Sequence, residues 1–388
     1  MAVIGLIHYN NPDYYPPTYN AARLLRAQGW PVEILCRRIY RNFISDYGSG
    51  ISLIRVGPPE GKFGNYLGAL KWLQEGYTAS KNWDAVLGFD VYGGMLAAQI
   101  ASRRKIPFLF HCYDFFTPHE SRWIERRIWS RLLLHLKKAR VVIFPSAEKA
   151  EFFRRETGYQ GPIEVVANSP LLRKKPPQKK LDSIFRLHYQ GSVHGRLGLQ
   201  EVLEILPELP SNIHFTFMGP SWDGFRAQLN SLVEKKNLTS RVSDLGEVSH
   251  LDLFRYTDQA SVGLYLPTDT ASDHLYSGAA INKLNEYLAA GIPTLVSPLP
   301  ALERWAERTA ACLGVNPKNK DELRQTILKL YEQNEDYARL CKLAFNAHQE
   351  TYHFEKQYLP ILNIFQSLLE GEKQTSMNGN FASKQVNP

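Results

Sequence analysis

Residues 277–297 read Ser277-Gly-Ala-Ala-Ile-Asn-Lys-Leu-Asn-Glu-Tyr-Leu-Ala-Ala-Gly-Ile-Pro-Thr-Leu-Val-Ser297, a helical pattern that feeds a short apolar strand. Ser277 is a natural N-cap, Gly291 follows the last helical alanine, and Pro293 stands beyond it. These signals predict a helix starting after Ser277 and a buried strand over 294–297. Lys283, Glu286, Tyr287 and Ala290 recur at intervals of three and four and so share one face. Gly278, Ala279 and Ala280 leave the first-turn N–H groups open to close approach. Those donors and the helix dipole attract an anion, most simply a diphosphate. On spacing alone, a solvated Lys and Glu on a surface helix explain the pattern equally well.

Working outward, the preceding half of the chain alternates apolar strands with helical patterns. Strands are predicted at 2–9, 32–37, 51–56, 85–90, 107–113, 141–146 and 163–168, with helices near 18–28, 66–80, 91–104, 120–139 and 147–156. That alternation predicts an α/β architecture with a doubly wound, mainly parallel sheet, whose ligands sit at the C-terminal strand ends. The segment Leu171-Leu-Arg-Lys-Lys-Pro-Pro-Gln-Lys-Lys180 reads as an interdomain connection, because its prolines oppose helix and its charge opposes burial. A second strand–loop–helix series then begins at Phe185. Its first loop carries Gly191, Ser192, Gly195 and Gly198, which permit close backbone approach to a ligand, and Arg196, whose guanidinium fork suits a diphosphate. A flexible turn is the plain alternative for such a loop. Asp269 and Asp273 lie in a polar loop that either addresses sugar hydroxyls or is merely solvated. Helical patterns at 319–334, 336–350 and 354–369 close the chain.

The motif Asn282-Lys-Leu-x-Glu-Tyr-x-Ala-x-Gly-x-Pro293 resembles the donor-binding motif of GT-B glycosyltransferases of the family 4 (group 1) type, which are retaining and nucleotide-sugar dependent. The resemblance extends over most of residues 1–370 and implies two Rossmann-like domains facing an interdomain cleft. On this reading residues 1–170 form the acceptor-side domain, 171–183 the linker and 184–352 the nucleotide-sugar domain. Residues 353–370 form a helix crossing back to the first domain, and 371–388, which are polar, form a disordered tail. The resemblance further implies that Glu286 holds the ribose hydroxyls, with Lys283, Asn282 and the backbone at Ser277 near the phosphates. Val248 and Ser249 would meet the base, and Arg196, with Gly191 and Ser192 beside it, would stabilise the leaving diphosphate. It also assigns Asp114, and His111 three residues before it, to the catalytic side of the first domain.

Three departures from the family pattern stand out. The loop after the first strand, His8-Tyr-Asn-Asn-Pro-Asp-Tyr-Tyr-Pro-Pro17, lacks a glycine pair. Relatives carry the histidine directly before the aspartate, where this chain has Tyr113. Eight residues before Glu286, where many relatives have a second glutamate, stands Gly278. Two rival readings are therefore kept: a sugar-nucleotide 2-epimerase and a non-catalytic scaffold of the same fold.

The 388 residues allow two or three domains, and 44% hydrophobic content with 12% aromatics belongs to a globular rather than a disordered chain. No apolar run approaches the roughly 18 residues that span a bilayer, and no signal-peptide pattern precedes the first strand. A cytoplasmic location is expected. Cys36, Cys112, Cys312 and Cys341 are scattered without metal-ligand spacing, and no acidic pair such as Asp-x-Asp ends a strand, so neither a metal nor another cofactor is expected. The net charge of +8 suits a phosphate-rich substrate or an anionic membrane; no nucleic-acid module accompanies it. Ser121–Arg140 interleaves Trp with Arg122, Arg126, Arg127 and Arg131, a pattern shared by a solvated basic helix face and by a helix resting on the inner leaflet. The expected partners are an NDP-sugar donor and a glycan or lipid-linked acceptor of cell-envelope or polysaccharide synthesis.

Overall fold

A computed structural model of the protein describes residues 1–38, 47–57, 65–80, 82–115, 123–177 and 183–382. The chain divides into two compact units, Met1–Val166 with Glu355–Pro388, and Ala167–Phe354.

The first unit alternates β1 (Ile4–His8), α1 (Pro16–Ala27), β2 (Val32–Arg37), β3 (Ile51–Val56), α2 (Asn65–Ala79), β4 (Ala85–Phe89), α3 (Asp90–Arg104), β5 (Phe108–His111), α4 (Trp123–Leu136), β6 (Val142–Phe144), α5 (Ala147–Thr157) and β7 (Ile163–Val165). Its seven strands are parallel and lie in the order β3-β2-β1-β4-β5-β6-β7. β1 and β4 are buried at every residue, which is why they read as unbroken apolar runs. The order reverses between β1 and β4, and His8 faces Phe89 in register across that pair. Helix ends follow local chemistry. Ser146 caps α5 by accepting from the Lys149 N–H at 3.1 Å, worth about 1 kcal/mol, and Gly158 at φ +66° ends it.

The second unit contains β8 (Phe185–Gln190), α6 (Leu199–Ile205), β9 (Ile213–Met218), α7 (Phe225–Lys235), β10 (Val242–Asp244), α8 (Leu253–Thr257), β11 (Val262–Tyr265), α9 (Ser272–Leu275), α10 (Asn282–Ala289), β12 (Thr294–Val296), α11 (Pro300–Thr309), β13 (Cys312–Gly314), α12 (Lys320–Glu332) and α13 (Asn334–Glu350). Its sheet is parallel as well, ordered β10-β9-β8-β11-β12-β13. Phe215, Phe217, Leu284, Leu295 and Trp305 are buried together, each such side chain stabilising the unit by about 1.5–3 kcal/mol. β13 has no counterpart in the sequence reading, since Cys312-Leu-Gly is too short to carry a periodicity. Within the predicted linker, Arg173 makes a two-pronged ion pair with Asp258, at 2.6 and 2.8 Å. The rest of the predicted linker, 178–182, lies outside the described residues.

The last helix, α14 (Phe354–Ala382), continues in backbone past 370, where composition predicts a disordered tail. No proline after Pro360 stops it. Residues 383–388 lie outside the described set.

Candidate functional site

The helix at the centre of the sequence reading begins later than predicted. Gly278–Ala280 form a single 3₁₀ turn, Ile281 is extended, and α10 starts at Asn282. Ser277 is therefore not the N-cap of α10. It is buried with helical backbone angles, and its carbonyl accepts from the Ala280 N–H at 2.6 Å. The cause lies in the turn itself. Buried Asn285 donates from Nδ2 to the Ala279 carbonyl at 2.8 Å and to the Asn168 carbonyl at 2.9 Å, tying the small-residue turn back against the helix.

The predicted face of α10 forms. Tyr287 is fully buried, and its hydroxyl accepts from the Gln190 N–H at 3.2 Å, fixing α10 against the end of β8. Glu286, one residue earlier, is 4% exposed and held on both oxygens. Gln190 Nε2 donates to Oε2, and His250 Nε2 donates to Oε1 at 3.2 Å. Gln190 is fixed in turn, its Oε1 accepting from Thr257 Oγ1 at 2.6 Å and from His188 Nε2 at 3.1 Å. The carboxylate is thus held in one orientation.

Lys283 lies one turn before Glu286 on the same side. Its Nζ sits 5.2 Å from the Tyr189 ring centroid and 4.8 Å from that of Tyr265. Burial lowers its pKa to about 8, against the opposing pull of the Glu286 carboxylate. The ammonium lies directly over the glycine loop. A Cβ on Gly191, whose φ is +122°, would stand 2.9 Å from Lys283 Nζ and 2.7 Å from its Cε. Gly219, at φ +130°, approaches the Gly191 carbonyl so closely that a Cβ there would be 2.0 Å from that oxygen. Only glycine fits at these two crossings. Beside them, Ser192 lends its carbonyl to the Tyr189 hydroxyl at 2.6 Å.

Arg196 continues from this loop. Its Nη1 lies 3.3 Å from Asp269 Oδ2, and the other Asp269 oxygen takes a 2.6 Å bond from His274 Nδ1. Burial works to raise the Asp269 carboxyl, but the His274 and Ala271 hydrogen bonds and the nearby Arg196 charge hold it below its usual value. His194 registers the local field: burial first, then the charges of Arg196, His274 and Lys283, push its pKa down. Arg196 and Lys283 therefore share one electrostatic neighbourhood. Val248 and Ser249 occupy the half-buried loop after β10, where Ser249 Oγ accepts from the Leu251 N–H at 3.3 Å. The next residue is the His250 that meets Glu286. Neither His250 nor Gln190 was singled out from sequence, although His250 adjoins the segment expected to meet the base. The Asp273 side chain lies outside the described residues.

In the first unit, His111 and Asp114 separate. Asp114 is exposed and paired through Oδ1 with Lys149 Nζ at 2.6 Å, and that ammonium also donates to the Tyr113 carbonyl at 2.8 Å. His111 ends its strand but is closed off from solvent. As the last residue of β5 it is 0% exposed, packed 4.6 Å from the Tyr113 ring and 5.5 Å from that of Phe89, with both ring nitrogens unpartnered. Burial lowers its pKa to about 3, so it is neutral.

On α4, Trp129, Leu132 and Leu136 face inward, while Trp123 and Leu134 are exposed beside Arg126, Arg127 and Arg131. The Arg127 guanidinium lies 5.4 Å from the Trp123 ring centroid. Arg122 lies outside the described residues. No helix among the described residues is long and apolar enough to cross a membrane.

Known structures align with nearly the whole chain. Sucrose-phosphate synthase from Thermosynechococcus elongatus matches with a TM-score of 0.73 at 18% identity, over 96% of this chain and 100% of that one. Anabaena HepE, determined in complex with UDP-glucose, matches with a TM-score of 0.75 at 12% identity, over 95% and 100%. The fold is GT-B. WaaG, a glycosyltransferase involved in lipopolysaccharide biosynthesis, shares this GT-B architecture with a TM-score of 0.67 at 14% identity, over 93% of this chain and 99% of its own. Residues 17–169 match the family described as "Glycosyl transferase 4-like domain". No curated protein matches the sequence.

Proposed function

We propose that this GT-B protein moves a sugar from a UDP- or GDP-sugar to a hydroxyl acceptor, with the donor held by the second unit. The observation that carries the reading is Lys283 lying over the Gly191 loop while Glu286, on the same face of α10, is fixed on both oxygens. Glu286 takes the ribose hydroxyls, and the Val248–Ser249 backbone takes the base. The diphosphate lies along Gly191 and Ser192, near Ser277 and Asn282. Arg196 and Lys283 meet the negative charge that grows on the leaving diphosphate, which is where electrostatic stabilisation lowers a barrier most. Asp114 serves the acceptor side. The family resemblance supports retention of configuration at the anomeric carbon and transfer of a hexose.

The acceptor on this reading is a glycan or lipid-linked glycan of envelope or polysaccharide synthesis, in keeping with the involvement of WaaG in lipopolysaccharide biosynthesis. The exposed Trp123, Leu134 and arginines of α4 support weak contact with an anionic inner leaflet. The reading includes no metal, so chelation by EDTA leaves turnover intact.

The test is a panel of UDP- and GDP-sugars analysed for released nucleotide and for sugar products. Transfer or slow hydrolysis of one donor supports the reading. Release of a 2-epimer without an acceptor replaces it with an epimerase, and inertness toward every donor replaces it with a scaffold.

A further inference from the structure

The strand ends of the first unit hold a second polar arrangement, in residues that the donor site does not use. β1 and β4 flank the reversal of strand order, the place where open α/β sheets leave a crevice for ligands. His8 ends β1, and Asp90 immediately follows β4.

Asp90 has φ +52°, a left-handed backbone that a non-glycine residue holds at a cost of about 1–3 kcal/mol. Its side chain is 25% exposed. One carboxyl oxygen, Oδ1, accepts from the Tyr113 N–H at 2.9 Å. The other, Oδ2, faces His8 Nε2 across 3.9 Å, too far for a direct hydrogen bond.

His8 is 1% exposed, and burial lowers its pKa to about 3, so the ring is neutral. Its Nδ1 lies 2.9 Å from Thr18 Oγ1, which lies 2.9 Å from the Tyr113 hydroxyl. Running the chain as Tyr113 O–H to Thr18 and Thr18 O–H to Nδ1 satisfies each group and leaves the ring proton on Nε2. That Nε2 is buried without a partner. A buried donor left unsatisfied is costly, and so is a strained aspartate. Both costs fall on the two sides of one notch.

A single oxygen about 2.8 Å from each of two atoms spans a 3.9 Å gap, accepting from one and donating to the other. Half-buried Tyr15 forms the adjacent wall, its ring 4.3 Å from that of His8 and stacked at 5.9 Å on Tyr113. A donor and an acceptor 3.9 Å apart beside an aromatic face suit a sugar hydroxyl.

We propose that the notch between His8 Nε2 and Asp90 Oδ2 binds one hydroxyl of a sugar or polyol, which accepts from His8 and donates to Asp90. Its assignment as the acceptor hydroxyl rests on the glycosyltransferase reading above. The binding site itself does not.

The test uses the full chain with glucose, mannose and glycerol as probes, followed by saturation-transfer NMR. At least one probe binds the wild type. Its affinity falls at least about tenfold in Asp90→Asn, which keeps an oxygen for the Tyr113 N–H but offers an amide donor, and in Asp90→Gly, which suits the backbone but removes the carboxyl. Binding also weakens as pH falls below about 7, the value to which burial and Asp114 raise the Asp90 carboxyl. The Tyr113 and Asp114 N–H groups and Lys149 act against that rise, and His8 and Tyr15 are the remaining titratable neighbours. Failure of all three probes to bind leaves water as the only occupant and overturns the proposal, as does a smaller loss in both variants. UDP calorimetry on the same samples keeps the two readings apart. Both variants retain the wild-type affinity for UDP, whereas wild-type protein that binds neither UDP nor GDP refutes the donor site and leaves the sugar result standing.

Discussion

If Lys283 holds the diphosphate as proposed, nucleotide affinity depends on pH around the pKa of that ammonium. Burial lowers its pKa to about 8, so the free protein carries the charge at pH 7 and has mostly lost it by pH 9. With that pKa the ammonium is about 90% populated at pH 7 and about 10% at pH 9. If the diphosphate binds the charged form, affinity falls about tenfold across the interval, or about 1.4 kcal/mol. The sign is fixed: binding weakens as pH rises. Arg196 stays charged throughout. His194, whose pKa is lowered, is already neutral, and the raised phenols of Tyr189 and Tyr287 keep their protons. Calorimetric titration of UDP and GDP at pH 7, 8 and 9 measures the slope. Lys283→Arg, whose charge does not titrate here, removes it, and Lys283→Gln gives weak binding at every pH. A flat wild-type profile, or a slope that survives in Lys283→Gln, refutes the reasoning.

Three further outcomes follow from the geometry. Gly219→Ala combines a φ of +130° with a Cβ 2.0 Å from the Gly191 carbonyl, so it destabilises the second unit by at least about 1–3 kcal/mol and weakens nucleotide binding; an unchanged urea midpoint contradicts this. Burial lowers the pKa of His8 and His111 to about 3 and of His188 to about 4, so folding stability drops as pH falls from about 6.5 toward 4. Each histidine adds one proton-linked slope and the raised Asp90 opposes with one, leaving a net loss on the order of 3 kcal/mol per pH unit; urea unfolding at pH 6.5, 5.5 and 4.5 tests it, and a level or rising stability sinks it. Reversing Arg126, Arg127 and Arg131 to Glu reduces co-sedimentation with phosphatidylserine vesicles, and a wild type that shows no preference for anionic over neutral lipid removes the membrane contact.

Much of the fold was legible in the sequence because strands covered on both faces must be apolar throughout, as β1 and β4 are. β13 escaped because three residues cannot show a period. The start of α10 was misplaced for a local reason. A serine before three small residues looks like a cap, yet those residues close a 3₁₀ turn held by Asn285 from within the helix. Lys283 and Glu286 could be picked out because they stand in the 282–293 motif, and Arg196 because a guanidinium in a glycine-rich loop suits a diphosphate. Their partners could not. His250 reaches Glu286 across 36 residues and Gln190 across 96, contacts made by the order of strands rather than by nearby sequence. The burial of His111 was not legible either, because sequence distance to Asp114 says nothing about which face of β5 a side chain takes.

The central claim is that α10 and the Gly191 loop hold a nucleoside diphosphate through Glu286 and Lys283, and calorimetry of UDP and GDP with wild-type and Glu286→Ala protein tests it most directly. One of the two nucleotides binds the wild type, and Glu286→Ala weakens it by about tenfold or more as charged hydrogen bonds to the ribose are lost. Equal affinity in the two proteins, or no binding by either, contradicts it.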